Sequence, residues 1–284
     1  MERLGGKEEV RAAVAEARRE GRSIGFVPTM GALHEGHLSL VRAASSRTDL
    51  VVASVFVNPT QFGPSEDFEA YPRDIDADMR MLSAEGVDIV FTPTPDIMYG
   101  DGPKVTVDPG ELAMRWEGEV RPTHFVGVAT VVTKLLNIVR PDLAFFGEKD
   151  FQQLQIVKRM VLDLDGGVGI VGCPIVREAD GLALSSRNAY LSAQERALAV
   201  VVPDALNAAV EAACWGERDP RSLEAIVREK IAARQGVELD YAAVVDPITL
   251  EPADDLDSPK RAIVAVRVGS TRLIDNCELK AADA

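Results

Sequence analysis

Cysteine is scarce in this chain of 284 residues: Cys173, Cys214 and Cys277 are odd in number, far apart and without C-x-x-C spacing. That pattern argues against a disulfide framework and against a cysteine zinc site, and it points to a reducing compartment. An excess of cations is also missing. Lys and Arg number 31 against 45 Asp and Glu, a formal charge of −14, so the long-range field repels nucleic acid and anionic membrane. Any anionic ligand must then be held by local donors. Long apolar runs are absent as well. The most apolar later stretch, Ala197 to Trp215, is interrupted by Pro203, Asp204, Asn207 and Glu211, and the amino-terminal MERLGGKEEVRAAV is charged where a signal peptide needs an apolar core. The expectation is a cytoplasmic protein with neither a membrane nor a nucleic-acid partner. No G-x-x-x-x-G-K-[ST] phosphate loop occurs. Gly167 to Gly172 matches G-x-G-x-x-G by letter, but it leads into a strand ending at Pro174 and not into a helix, which rejects dinucleotide binding and leaves no redox cofactor to expect.

What is present starts with a hydrophobic share of 46%, enough for a real core and, at this length, for two domains or one domain with an appendage. Two of the three histidines lie together in Pro28-Thr29-Met30-Gly31-Ala32-Leu33-His34-Glu35-Gly36-His37. An apolar run precedes them, and HLSLVRAASS after them carries apolar residues at helical spacing, so the pair falls where a strand turns into a helix. A helix N-terminus attracts phosphate through its free N–H groups and its dipole. Gly31 and Gly36 allow close backbone approach, and two imidazoles can donate to phosphoryl oxygens as charge builds. This H-x-G-H pattern is the signature of the nucleotidylyltransferase superfamily. Taken alone it is equally compatible with a loop histidine and a helix-start histidine whose hydrogen bonds are simply satisfied.

Helical and strand patterns alternate along the chain. The periodicity predicts helices over Lys7–Glu20, His37–Ser46, Asp74–Glu85, Gly127–Val139 and Phe151–Leu162, and strands over Ile24–Val27, Leu50–Val57, Asp88–Phe91, Leu143–Phe146 and Ile170–Val176. Repeated strand-helix-strand units with near-continuous apolar strands imply an α/β fold, a Rossmann-like doubly wound parallel sheet, with ligands at the carboxyl ends of its strands. After about residue 176 the texture changes to a polar turn, Ala-rich helices (Ala193–Ala213, Arg221–Arg234) and strands Tyr241–Val245, Ala262–Val268 and Leu273–Cys277. The expected division is residues 1–176 as a Rossmann-like nucleotide-binding domain and 177–284 as a smaller α+β lid domain.

Three further motifs accompany the histidines. LVVASVFVNPTQFG ends a strand in Asn58, Pro59 and Gln61, which places amides at a carboxyl end, although loop amides also cap turns. Phe145-Phe146-Gly147-Glu148-Lys149-Asp150 brings a lysine to the start of a helix that continues with Gln152 and Gln153; the lysine can neutralise phosphate charge or be a solvated turn residue. Leu184-Ser185-Ser186-Arg187 follows Asp180-Gly181, and two hydroxyls with a guanidinium suit a mobile hinge and lid over 176–192 that closes on a triphosphate. A plain flexible linker is Ser-rich too.

PTMGALHEGH, FVNPTQF, FGEKDFQQ and LSSRNAYL together, in this order and spacing over essentially the whole chain, resemble the pantoate:beta-alanine ligase family of pantothenate biosynthesis, on the coenzyme A pathway. The resemblance implies an AMP-forming ligase that makes a pantoyl adenylate and pyrophosphate from ATP and (R)-pantoate and then joins the pantoyl group to beta-alanine, with Mg2+ accompanying the ATP, in a homodimer. It implies His37, His34, Lys149, Ser186 and Arg187 as catalytic residues. Met30, Gly31, Ala32, Leu33, His34, Glu35, Gly36, His37, Gly147, Glu148, Lys149, Asp150, Val176, Leu184, Ser185, Ser186 and Arg187 would line the ATP site, and Gln61 and Gln153 would clamp pantoate. Pro28, Met30 and Phe62 are placed to supply an apolar wall for its methyl groups.

Other residues stay open. His124 could reach phosphates or beta-alanine, or be an ordinary helix-start histidine. Asp74, Asp76 and Asp78 could hold magnesium, but carboxylates in a first helical turn also suit the dipole, so the metal ligands are not assigned. A tRNA-acylating relative would need a basic surface and an anticodon-reading domain, neither of which the composition offers. A nucleotide sensor would not need Gln61 and Gln153, and a cytidylyltransferase would be separated by whether CTP or ATP is consumed.

Overall fold

The computed structural model describes residues 1–64 and 66–280. In order come β1 (Glu2–Leu4), α1 (Lys7–Arg19), β2 (Ile24–Thr29), α2 (Glu35–Ser45), β3 (Leu50–Val55), α3 (Ile75–Ala84), β4 (Ile89–Phe91), the short α4 (Pro95–Tyr99) and α5 (Glu117–Val120), α6 (His124–Val139), β5 (Leu143–Gly147), α7 (Phe151–Asp163) and β6 (Gly169–Cys173). In α1 the buried residues Val10, Val14 and Ala17 recur at i, i+4 and i+7, the stripe a helix needs to lie on a sheet. β2 and β3 are buried along nearly their whole length, and strands covered on both faces read as continuous apolar runs.

The six strands form a parallel sheet in the order β1-β4-β3-β2-β5-β6. From β2 the chain steps outward through β3 and β4, then crosses to the other side of β2 with β5 and β6. The winding direction therefore reverses between β2 and β5, and in doubly wound sheets ligands gather beyond the strand ends at that point. The register of this pair is pinned by Asp142, whose Oδ2 accepts the Ile24 N–H at 2.7 Å. On one face Leu40, Val41 and Ala44 of α2 join Val27, Val51, Ala53 and Phe145 in a buried cluster. α1 and α6 pack on each other and on β2.

The chain divides into two compact units, Met1–Glu148 with Ile156–Pro174, and Lys149–Gln155 with the residues from Ile175 onward. The second unit holds α8 (Ala193–Ala199), α9 (Val201–Cys214), α10 (Pro220–Ala232) and an antiparallel sheet of β7 (Val237–Val245), β8 (Lys260–Val268) and β9 (Thr271–Leu279) in that order. Its core joins Val202, Leu206 and Ala209, Leu223, Val227 and Ile231, and Val264 and Val266. Residues Ala193–Cys214 have the length and mean hydropathy (1.5) of a membrane-crossing helix, but their buried side chains belong to this core. The expected fold class, a doubly wound parallel sheet with a smaller α+β part, is what the structure has.

Some boundaries differ for physical reasons. α2 begins at Glu35 and not at His37, because His34 itself caps the helix. α6 begins at His124, three residues before Gly127. β6 stops at Cys173, where Pro174 brings no N–H to the ladder. β1 was not expected; three residues are too short to show a period.

Gly127 makes the close approach of α6 to the Pro59–Gln61 turn possible. A Cβ there would lie 2.3 Å from the Thr60 carbonyl oxygen and 2.7 Å from Gln61 Cα. Gly127→Ala is therefore expected to cost about 2 to 3 kcal/mol, the range for forced overpacking. Gly5→Ala, whose Cβ would meet nothing nearer than 4.0 Å, should stay within about 0.5 kcal/mol. Urea denaturation of both variants checks this; equal stabilities would refute the close-packing account.

Candidate active site

β2 ends in Thr29, and the next residues form a ledge by unusual backbone. Gly31 and Ala32 both take left-handed conformations, φ +82° and +50°. The N–H groups of Ala32 and Leu33 point to one acceptor, the carboxylate of Asp78 on α3, at 3.1 and 2.8 Å. Asp78 is buried, and burial pushes its carboxyl above the usual range while the two backbone amides pull it back. A Cβ on Gly31 would lie 2.7 Å from Asp78 Oδ2, so glycine is required there by contact as well as by φ.

The ledge delivers the histidines to the start of α2. His34 is the N-cap, its Nδ1 accepting the Gly36 N–H at 3.1 Å, and His37 Nδ1 accepts the His34 N–H at 3.3 Å. The two rings lie 4.2 Å apart between centroids. Because each Nδ1 acts as an acceptor, each neutral ring carries its proton on Nε2. The pair thus presents two N–H donors at a helix N-terminus, an arrangement suited to phosphoryl oxygen. Glu35, in the first turn, is tied instead to Arg42 at 2.6 Å.

β3 leads to a buried amide knot. Asn58 Nδ2 donates to Gln61 Oε1 at 3.0 Å and to the Gly127 carbonyl at 3.3 Å, while its Oδ1 accepts the Tyr99 hydroxyl at 2.6 Å. All of Asn58 is spent on structure. Gln61 keeps its amide nitrogen on a soft partner, Met30 Sδ at 3.1 Å, which a ligand oxygen can replace with a stronger bond. Phe62 stacks edge-on against Phe68 and Tyr71.

His124 lies behind this turn. Its Nδ1 donates to the Gln61 carbonyl at 2.9 Å, and its Nε2 accepts from Arg121 Nη1 at 3.2 Å. Arg121 is held by Glu66 at 2.5 Å and Glu117 at 3.3 Å. Burial first, and the Arg121 charge second, push the imidazole down to about 4.

Lys149 and Gln153 belong to the second unit, Gly147 and Glu148 to the first. Sequence reasoning missed the residues that hold Lys149. The Lys149 carbonyl accepts Asn276 Nδ2 at 2.9 Å, and Asn276 Oδ1 accepts Arg261 Nε at 2.7 Å. Arg261 lies over the Phe151 ring at 4.5 Å, and Arg177 binds the buried Asp275 carboxylate through two nitrogens at 2.6 and 3.0 Å. No local pattern in the sequence points to them, since Asn276 lies 127 residues from Lys149.

Val176 to Ser192 is not a loose linker. Leu184 N–H donates to the Val176 carbonyl at 3.0 Å and Glu178 N–H to the Leu182 carbonyl at 2.8 Å, closing a hairpin. Arg196 binds Glu178 and Asp180 at 2.6 and 2.8 Å, and Asn188 donates to Glu178 at 3.0 Å. Ser185 Oγ accepts the Arg187 N–H at 3.2 Å and opens the Ser186–Tyr190 turn. Glu178 and Asp180 share the Arg196 guanidinium within this unit.

The three aspartates at the start of α3 have separate roles. Asp74 Oδ1 caps α3 by accepting the Ala77 N–H at 2.9 Å, Asp78 serves the ledge, and Asp76 is exposed. Among the described residues no group of three His, Cys, Asp or Glu is placed to hold a metal ion.

A family model for pantoate-beta-alanine ligase matches residues 4–278. The chain is 54% identical over 279 residues to pantothenate synthetase of Rubrobacter xylanophilus, covering 95% of this chain and 96% of the relative. It is 52% identical to that of Syntrophotalea carbinolica, with 94% of each covered. Among solved structures, pantothenate synthetase of Thermus thermophilus aligns with TM-score 0.93 at 47% identity, covering 99% of this chain and 100% of the other. A pantoate-beta-alanine ligase of Francisella tularensis, complexed with beta-gamma ATP and beta-alanine, aligns with TM-score 0.81 at 33% identity, covering 98% and 97%.

The His124 geometry has a consequence for stability. Its proton affinity is depressed from 6.5 to about 4 in the folded chain, so above pH 6.5 both states are neutral and its contribution is complete. Between pH 6.5 and 4 the unfolded chain takes up a proton that the folded chain resists, and stability falls by on the order of 3 kcal/mol. Urea melts at pH 7 and pH 5 should show a steeper loss in wild type than in His124→Asn. Parallel losses would contradict the depressed value.

Proposed function

We propose a two-step reaction for this chain, which belongs to the pantoate-beta-alanine ligase family and is an ATP-dependent ligase joining pantoate to beta-alanine. In the first step a carboxylate oxygen of (R)-pantoate attacks the α-phosphorus of ATP. The bond from that phosphorus to the bridging oxygen breaks, and pyrophosphate leaves a pantoyl adenylate. In the second step the beta-alanine amine attacks the acyl carbon, AMP departs with the bonding electrons of the acyl-oxygen bond, and the nitrogen loses a proton.

The observation that carries this reading is the histidine ledge. No covalent nucleophile is needed, so the protein's work is positioning and charge stabilisation. His37 and His34 donate through Nε2 to the phosphates and the charge developing at phosphorus, on the backbone ledge of Met30 to His37 that lines the nucleotide. Lys149, in the turn of Gly147, Glu148 and Asp150 that lines the nucleotide, offsets the charge of the leaving pyrophosphate. Ser186 and Arg187, presented by the hairpin of Val176, Leu184 and Ser185, bind phosphate oxygens. Gln61 and Gln153 bind pantoate through its hydroxyls and carboxylate. Mg2+ would accompany the nucleotide and offset phosphate charge. The working form is a cytoplasmic homodimer.

Because adenylate formation needs no amine, the enzyme should exchange labelled pyrophosphate into ATP with pantoate present and beta-alanine absent. His37→Ala should slow that exchange by about a hundredfold, the loss expected for one preorganised donor. Exchange at the wild-type rate removes His37 from the chemistry. Exchange that appears only after beta-alanine is added removes the adenylate.

A further inference from the structure

His124 is not placed to meet a ligand. It is 7% exposed, and both ring nitrogens are occupied, Nδ1 by the Gln61 carbonyl and Nε2 by Arg121. The Gln61 carbonyl receives a second donor, Arg121 Nη2 at 3.2 Å, so both of its lone pairs are used. Arg121 in turn is fixed by Glu66 through Nε and Nη2 at 2.8 and 2.5 Å and by Glu117. The charged groups facing the imidazole are these three: Arg121, Glu117 and Glu66.

This chain of bonds ends on the peptide plane that follows Gln61. A peptide plane held at its carbonyl restricts ψ of the residue that carries it, and with ψ the direction in which the side chain leaves the backbone. The Gln61 side chain is held at its oxygen by Asn58, while its amide nitrogen rests only on a thioether. The aim of that nitrogen depends on the plane beneath it as well as on Asn58. The opposite flank of the turn is set by Gly127, which lets α6 touch the Thr60 carbonyl. His124 and Gly127 lie one helical turn apart on α6, so a single helix end supplies both the donor and the contact surface for the turn.

We propose that His124 is a positioning residue for the hydroxy-acid substrate: it holds the Gln61 carbonyl so that the Gln61 amide meets the substrate oxygens, and never touches the substrate itself. The inference rests on the proposed substrate role of Gln61. The donor at Nδ1 is the active part, and the acceptor at Nε2 only keeps the proton on the other nitrogen.

Two substitutions separate this from simple core packing. Asparagine places an amide N–H near the Nδ1 position and can still reach the Gln61 carbonyl, whereas glutamine carries its amide toward the Nε2 position and leaves that carbonyl without its short donor. In pyrophosphate exchange, His124→Gln should raise the pantoate KM by about tenfold, the worth of one buried hydrogen bond, with the ATP KM unchanged, and His124→Asn should restore most of the loss. Equal rises in the two variants, beside a raised pantoate KM in Gln61→Ala, overturn the positioning role. A wild-type pantoate KM in Gln61→Ala overturns the substrate role beneath it instead. With three histidines in the chain, long-range proton-nitrogen correlation of the wild-type protein gives a readout independent of kinetics and of variant folding. His124 should carry its proton on Nδ1 and keep that state from pH 8 to pH 5, while His34 and His37 show the opposite tautomer at pH 8. A His124 proton on Nε2, or a doubly protonated ring at pH 6, overturns the proposal.

Discussion

The ledge depends on one buried carboxylate. Asp78 accepts the N–H groups of Ala32 and Leu33 and so makes a backbone that the sequence alone would not choose. A left-handed alanine costs about 1 to 2 kcal/mol, whereas hydrogen bonds to a charged acceptor contribute about 1.5 to 3 kcal/mol each. Two such bonds outweigh the strain. The position of Asp78 in the first turn of α3 helps further, because the positive end of the helix dipole favours the ionised form. With Gly31 and Ala32 turned this way, His34 arrives extended at φ −145° and can cap α2. His37 then reaches back to the His34 N–H, and both rings are left with Nε2 as the donor.

The same economy recurs in each unit. Asn58, with a chemical character suited to substrate, is consumed in holding Gln61. His124 is consumed in holding the Gln61 backbone. In the second unit Asn276 and Arg261 hold the turn that carries Lys149, which explains why Lys149–Gln155 group with the carboxyl-terminal sheet and not with the strand that precedes them. The histidine ledge, Gln61 and Lys149 are thus each backed by a buried polar residue, as preorganised sites require.

The parallel strands were legible because β2, β3 and β5 are short apolar runs with clear ends, and the ledge was legible as a strand-turn-helix with two histidines. The capping by His34 was hidden, since histidine is not among the usual N-cap residues and the apolar period begins only at Leu38. Asp78 was ambiguous for a deeper reason: an acidic residue in a first turn looks the same whether it serves a dipole, a metal or a loop 45 residues away. Asp275 and Asn276 gave no hint of Lys149, because a contact across 127 residues leaves no local pattern. The serines and Asp180-Gly181 read equally as a lid or a plain linker, and the hairpin bonds and the pairing of Glu178 and Asp180 with Arg196 form only in three dimensions.

The most direct measurement on this account is calorimetric titration of ATP into Asp78→Asn. The substitution keeps the volume, but one oxygen becomes an N–H2 group that faces a backbone N–H, so an attraction turns into a repulsion at the ledge. The expected result is a folded protein that binds ATP more weakly by a factor of about ten to a hundred. Wild-type ATP affinity in that variant would contradict the claim that the Asp78-held backbone is what makes the histidine ledge a nucleotide site.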